Sequence, residues 1–339
     1  MVPLAVASTC AVDDHDTGRG HPERTDRLVA AVAGLRDAAL GDARLEVTPR
    51  AATSSELERA HDAHYLRALE EFATSGGGHL DPDTVVSPGS WATALLAAGS
   101  GLAVLDVLRA GEANAGLVLV RPPGHHATRT RGQGFCLINN IAVAAAALAS
   151  DGERVLIVDW DVHHGNGTQD IFWNDPRVLY VSTHQSPAYP GTGSALEAGG
   201  PDAVGSTINF PLPPGATGDV ARAALDDVVA PAVERFSPTW VLVSAGYDAH
   251  RADPLADLEW SAGDYVGLTQ RVAAFAPRPG RLVAFLEGGY DLEALRECVR
   301  VTAKTLAGGT IETEAPTVGG PGRHVVAETA RVHHTPTGN

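Results

Sequence analysis

Ionisable side chains collect in four short segments of this sequence. RPPGHHA places His125 and His126 side by side, DWDVHHGNGTQ carries Asp159, Asp161, His163, His164 and Asn166, AGYDAHRADP carries Asp248, and EGGYD carries Tyr290. In an extended segment side chains alternate, so Asp159, Asp161 and His163 fall on one face. One carboxylate and one imidazole from that run, with the Asp248 carboxylate from another, form a three-ligand set that suits a catalytic zinc and leaves a position open for water. Helix capping by strand-end aspartates would explain one of these residues but not the whole constellation. Adjacent histidines diverge, so His125 and His126 are not themselves a metal pair, yet two imidazoles beside a metal site suit proton transfer. A carboxylate fixes a histidine's tautomer and raises its basicity, and Asp159 is placed to do this for His125; Asn166 would orient His126 without a full charge. Tyr290 follows Gly288 and Gly289, which let the backbone turn tightly, and a phenolic O–H there can donate to a developing oxyanion. Gly134, Phe135 and Cys136, with Tyr189 in AYPGTG, put two aromatics in loops of the same rim, enough for a narrow slot that takes an unbranched alkyl chain.

These segments need elements to position them, and each follows an apolar run. Strands are expected at Leu4–Ala7, Gly116–Val120, Arg154–Val158, Val178–Ser182, Ser206–Phe210, Thr239–Ser244 and Arg281–Leu286. Alanine-rich amphipathic stretches between them predict helices at Pro22–Ala39, Ser54–His61, Asp62–Ala73, Ser90–Ala110, Ile138–Ser150, Thr217–Phe236, Ala262–Phe275 and Leu292–Leu306. The first of these helices places Leu28, Val29, Val32 and Leu35 on one core-facing stripe. Alternation of strands and helices is the pattern of a largely parallel sheet covered by helices, and such sheets bind ligands beyond the carboxyl ends of their strands. The four chemical segments would therefore converge on one rim. No linker divides the chain, so one domain is expected over residues 1–306, with 307–339 read as a loosely attached polar tail in which His333 and His334 are solvated.

Composition sets the broad class. The 339 residues are 44% hydrophobic and 19% charged with a mean hydropathy near zero, which excludes a disordered chain or a polytopic membrane protein. The formal charge of −16 opposes nucleic acid binding and favours cationic ligands, and Lys304 is the sole lysine. Three cysteines fit neither a disulfide framework nor a C-x-x-C metal spacing. With no evident signal peptide or membrane span, the expected location is the cytoplasm and no membrane partner is expected.

Taken in order, HDTGRGHPERTDRL, RPPGHHA, GFC, DWDVHHGNGTQ, SAGYD and EGGYD resemble the zinc-dependent histone deacetylase superfamily, in particular its class II and bacterial deacetylase-like amidohydrolase members. The resemblance runs over roughly residues 12–306. It implies the arginase-deacetylase fold, a single α/β domain with a central, mostly parallel eight-stranded sheet and helices on both faces. It also implies a hydrolase that removes an acetyl or other acyl group from a lysine side chain or related primary amine. In family terms Asp161, His163 and Asp248 match the zinc ligands, His126 the general base and acid, His125 its electrostatic partner paired with Asp159, and Tyr290 the carbonyl-polarising tyrosine. One potassium ion is implied at Asp159, Asp161, His163, Ser182 and Thr183, and a second at the carbonyls of Phe172, Asp175 and Val178. Phe135 and Tyr189 match the tunnel walls with Gly134 between them; Asp83, in HLDPDT, lies near the loop position where family members hydrogen-bond the substrate backbone, or else begins a turn, and His21 is a further substrate-binding candidate. Asn166 matches class II, where class I members carry aspartate. Polyamine-preferring members place a glutamate where this chain has Leu255, which weakens that specificity. An acetylpolyamine or small-metabolite amidohydrolase, and a non-catalytic acyl-lysine binder, remain alternatives, and an oligomer is compatible with all of them.

Overall fold

A computed structural model describes residues 1–334. Its centre is an eight-stranded, wholly parallel sheet, with a two-stranded hairpin at one side. In chain order the strands are β1 (Leu4–Ser8), β2 (Arg44–Val47), the hairpin strands β3 (Gly78–His79) and β4 (Val85–Val86), then β5 (Ala115–Leu119), β6 (Val155–Asp159), β7 (Val178–Gln185), β8 (Thr207–Leu212), β9 (Trp240–Ala245) and β10 (Leu282–Leu286). The sheet order is β2-β1-β5-β10-β9-β6-β7-β8. Seven of these strands were legible as apolar runs; the edge strand β2 was not, because RLEV is half exposed and carries two charges.

Helices cover both faces, because every central strand is buried on both sides. They are α1 (Thr25–Asp37), α2 (Ser54–Leu57), α3 (Ala63–Thr74), α4 (Ser90–Arg109), α5 (Asn140–Ser150), α6 (Asn166–Phe172), α7 (Gly218–Ala224), α8 (Ala230–Phe236), α9 (Ala262–Phe275), α10 (Leu292–Leu306) and α11 (Arg323–His334). Alternate residues of one strand serve opposite cores: Leu4 and Val6 pack with Leu28, Leu35, Leu295 and Val299, whereas Ala5 and Ala7 pack with Ala97, Leu105 and Ile141. Helix α4 is apolar enough by length and composition to cross a membrane, and most of it is buried here against β1, β5 and α5. The run Thr217–Phe236 keeps its helical course but widens into a π-turn at Leu225–Val229 between α7 and α8.

Two expectations are corrected. Helix α1 begins at Thr25 and buries Arg27, Leu28, Ala31, Gly34 and Leu35, an i, i+3, i+4 stripe that leaves Val29 53% exposed. The segment after Leu306 is not loosely attached. Glu314 accepts the Ala262 N–H at 2.9 Å, Thr317 donates to Asp264, and α11 buries Val325, Val326 and Thr329, with the Thr329 hydroxyl donating to Asn209 O at 2.9 Å. Polar composition concealed a helix whose one apolar face completes the core over β8 and the π-turn. His333 lies in this helix and is partly buried, and the side chain of His334 lies outside the described residues.

Candidate active site

Parallel pairing brings the carboxyl ends of β5, β10, β9 and β6 side by side at the centre of the sheet. His125 and His126 follow β5, Asp161 and His163 follow β6, Asp248 follows β9 and Tyr290 follows β10. Strand β6 itself stops at Asp159, so Asp161 and His163 stand in the loop beyond it rather than in an extended run. That loop is fixed by its own carboxylates: Asp159 Oδ1 accepts the Asp161 N–H at 3.1 Å, and Asp161 Oδ1 accepts the His163 N–H at 2.9 Å.

One ligand atom each from Asp161, His163 and Asp248 lie within 4.8 Å of one another. His163 Nδ1 is 3.2 Å from both Asp161 Oδ1 and Asp248 Oδ2. Two glycines make room for the carboxylates: a Cβ on Gly246 would lie 2.0 Å from Asp161 Oδ2, and one on Gly288 2.1 Å from Asp248 Oδ2. The remaining carboxylate oxygens take backbone N–H groups, from Gly288 to Asp161 Oδ2 at 2.8 Å and from Val162 to Asp248 Oδ1 at 2.9 Å. Among the described residues no lysine or arginine pairs with either carboxylate. His163 answers the charge of both, and His125 Nε2 lies 3.8 Å from Asp161 Oδ1: burial by itself would depress the pKa of His163, but Asp161 and Asp248 push it up to about 10. A buried, cation-poor set of two carboxylates and one imidazole, open toward a cavity, fits a divalent metal that accepts mixed O and N donors.

The two histidines each have a partner. His125 Nδ1 is 3.0 Å from Asp159 Oδ2, and His126 Nδ1 is 2.8 Å from Asn166 Oδ1. Their rings lie 4.1 Å apart between centroids. Burial works against charge on both, but Asp161 and Asp159 raise His125 well above the usual imidazole range. For His126 burial and the neighbouring His125 and His163 act together and hold it well below that range. An acceptor at Asn166 assigns the His126 proton to Nδ1 and leaves Nε2 as a lone pair facing the cavity. Burial pushes the Tyr290 phenol well above its ordinary pKa, so it keeps its proton as a donor.

A cavity of about 580 Å³ rises from these groups. His126, His163 and Tyr290 line it with Gly134, Phe135 and Tyr189, and His21, Asp83 and Leu255 line it with them. Gly134 and Phe135 both have positive φ, at 56° and 67°, between the mutual hydrogen bonds of Gln133 and Cys136, as a type I′ turn requires. The turn stands Phe135 edge-on to Tyr290 at 5.9 Å and to His21 at 4.9 Å, while Tyr189 meets His126 at 5.0 Å. His21 Nε2 donates to Asp83 O at 3.0 Å, tying two mouth loops together. Leu255 and Tyr189 are each 41% exposed. Of the groups expected around potassium, Ser182 pairs in register with Asp159, but its hydroxyl bonds to His184 Nδ1 at 2.9 Å; Thr183 is buried beside it. Phe172, Asp175 and Val178 form the turn into β7, where the Asp175 N–H donates to Phe172 O and the Val178 N–H to Asp175 O.

Several supporting residues went unnoticed in the sequence. Arg27 donates to Gly289 O at 2.6 Å and Glu287 O at 2.5 Å, and its guanidinium lies 4.7 Å from the Tyr290 ring centroid. Glu23 holds Arg27 and Arg121, and Arg121 also reaches Asp13. Glu287 Oε2 accepts the N–H groups of Gly124 at 2.6 Å and His125 at 3.1 Å, and Tyr180 donates to Asp159 Oδ2 at 3.1 Å. Only the i, i+4 spacing of Glu23 and Arg27 was a signal; the other partners are backbone atoms or distant side chains.

Residues 21–306 match the histone deacetylase domain. The chain is 40% identical over 295 residues to a histone deacetylase-like amidohydrolase of Pseudomonas aeruginosa, covering 85% of this chain and 76% of that protein. It is 40% identical over 284 residues to a probable deacetylase of Archaeoglobus fulgidus, covering 82% and 79%, and 38% identical over 313 residues to a human polyamine deacetylase, covering 88% and 46%. The crystal structure of the HDA15 HD domain superposes with a TM-score of 0.88 at 34% identity, over 97% of this chain and 95% of that one.

Proposed function

The chain belongs to the histone deacetylase family and is a hydrolase of amide bonds, and from that premise we propose that it removes an acetyl group from a lysine side chain by zinc-dependent hydrolysis. The observation that carries the reading is the convergence of the Asp161–His163–Asp248 triad, His126 and Tyr290 on one cavity. Asp161, His163 and Asp248 would hold zinc, which when bound supplies Lewis acidity toward the carbonyl and lowers the pKa of water toward about 7. His126 Nε2 takes the proton of the attacking water, because Asn166 fixes the other nitrogen as the donor and burial keeps the ring neutral beforehand. Tyr290 donates its phenolic proton as a hydrogen bond to the oxyanion of the tetrahedral intermediate. His125, paired to Asp159, supplies positive charge beside His126 and favours its return of the proton to the leaving amine. The C–N bond breaks, and acetate and the free amine result. Potassium at Asp159, Asp161, His163, Ser182 and Thr183, and at Phe172, Asp175 and Val178, belongs to the same proposal, and so does the cytoplasmic location.

Lysine is favoured as the amine because Leu255, at the mouth, gives no attraction to a distal ammonium. The exposed acidic side chain of Asp83 in the same mouth favours the second reading, an acetylpolyamine. Values of kcat/KM for an acetyl-lysine peptide, acetylspermidine and acetylputrescine on zinc-loaded protein separate the two. The proposal expects the peptide to lead. A lead for either polyamine replaces it with the second reading, and release of acetate from none of the three refutes both.

A further inference from the structure

The loop that carries Tyr290 contains two consecutive glycines and is held from both sides. Gly288 and Gly289 precede the tyrosine, and Gly289 has φ +117°, a conformation open chiefly to glycine, so the backbone at this point has unusual freedom to lose. Arg27 fixes the carbonyls of Glu287 and Gly289. The N–H groups on the other side go to a single carboxylate. Asp253 Oδ2 accepts the N–H of Tyr290 itself at 2.6 Å and that of Asp291 at 3.2 Å, while Oδ1 accepts the Leu255 N–H at 3.0 Å. Asp253 is 6% exposed and lies outside the residues that line the cavity, so it does not meet substrate. Its own N–H donates to His250 O at 2.8 Å, anchoring it in the loop that follows Asp248.

We propose that Asp253 is a positioning residue for catalysis: it clamps the backbone of Tyr290 so that the phenol meets the oxyanion, and through Leu255 it couples that placement to the tunnel mouth. The inference rests on the role given above to Tyr290. Removing the carboxylate releases the N–H of Tyr290 and the loop regains its freedom, so the loss falls mainly on the step in which the phenol acts and less on substrate binding at the mouth.

A double-mutant cycle tests this. Asp253→Ala is expected to lower kcat about 10–100-fold, bounded by the roughly 10²–10³ that one oxyanion donor contributes, with a smaller change in KM, below about 5-fold, from the Leu255 N–H released at the mouth. In a Tyr290→Phe background the same substitution is expected to change kcat by less than about 2-fold, since the group it positions is already gone. Equal losses in both backgrounds, or a wild-type kcat for Asp253→Ala, overturn the inference while leaving the deacetylase reading intact. Should Tyr290→Phe itself prove fully active, the role of Tyr290 fails and the positioning role fails with it. Asp253→Asn keeps the side-chain volume but must turn its NH₂ toward one set of N–H donors. It is carried through the same cycle if the alanine variant does not fold, and a smaller loss confined to the wild-type background is expected.

Discussion

Gly134→Ala is the sharpest test of the tunnel geometry. A Cβ at this position would lie 2.6 Å from His126 Cδ2, 2.9 Å from His126 Cγ and 2.8 Å from Tyr189 Cε1. Ordinary carbon contacts are about 3.5–4.0 Å, so His126 must retreat by about 1 Å. That shift disturbs the hydrogen bond of Nδ1 to Asn166 at 2.8 Å and the packing of the His125 ring, whose centroid is 4.1 Å away. Tyr189, 41% exposed, can swing outward. The turn also needs φ of +56° at this residue, which costs a non-glycine roughly 1–2 kcal/mol. Displacing a proton-transfer group by about 1 Å costs about 10²-fold, or about 2.7 kcal/mol of transition-state stabilisation. The expected outcome is therefore a kcat/KM on an acetyl-lysine peptide down about 10²-fold, with a folding stability lowered by about 2–5 kcal/mol in urea titration from φ strain and overpacking together. Because the closest clash is with His126, adding Tyr189→Ala should not restore activity. Near-normal turnover by Gly134→Ala, or full rescue in the double variant, would refute the placement of His126 at the tunnel floor.

Three further outcomes are expected. Asp248→Ala removes one of the three clustered ligand atoms, so elemental analysis after equilibration with zinc should find about one ion per chain in the wild type and a small fraction of that in the variant; equal occupancy would remove Asp248 from the ligand set. His61 donates from Nδ1 to Thr128 O and accepts the Asn139 N–H at Nε2, and burial lowers its pKa from 6.5 to about 4. Between these values the unfolded chain binds the proton and the folded one does not, so stability rises with pH through that window, by about 3 kcal/mol at most. Urea midpoints should therefore fall more steeply from pH 7 to pH 4 for wild type than for His61→Gln, and identical slopes would contradict the assignment. Truncation after Gly309 strips α11 and uncovers the core beneath Val325 and Val326, each contributing roughly 1.5–3 kcal/mol by burial; an unchanged denaturation midpoint would show that the helix adds nothing.

How much of this was readable without coordinates follows from the geometry of parallel sheets. Asp161, Asp248 and Tyr290 stood out because each comes just after an unbroken apolar run, and a parallel sheet delivers every such run's end to one rim. The partners of His125 and His126 were readable for the same reason: Asp159 and Asn166 lie within one strand-loop-helix unit, so local spacing constrains them. Residues acting on backbone left no such trace. Arg27 reaches the carbonyls of Glu287 and Gly289, more than 250 positions away, and Glu287 holds the N–H groups of Gly124 and His125; a carbonyl or amide has no letter in the sequence. The same holds for the attachment of residues 310–334. HVVAETARV shows no clear pattern until β8 and the π-turn define the face on which Val325, Val326 and Thr329 align.

That division bears on specificity. His21, Asp83, Tyr189 and Leu255 stand on four different loops around the cavity mouth, and under the proposed function these are the residues that would choose among amines. His21 is fixed by the Asp83 carbonyl, and Leu255 by the Asp253 carboxylate that also holds Tyr290. A substitution at the mouth therefore need not stay at the mouth. Changing Leu255 alone alters what the entrance attracts, whereas disturbing the backbone N–H of Leu255 pulls on the carboxylate that positions the phenol. Asp253 physically links Leu255 at the mouth to Tyr290 at the cavity floor, so a test of substrate preference at Leu255 calls for a side-chain replacement that leaves the 253–255 backbone in place.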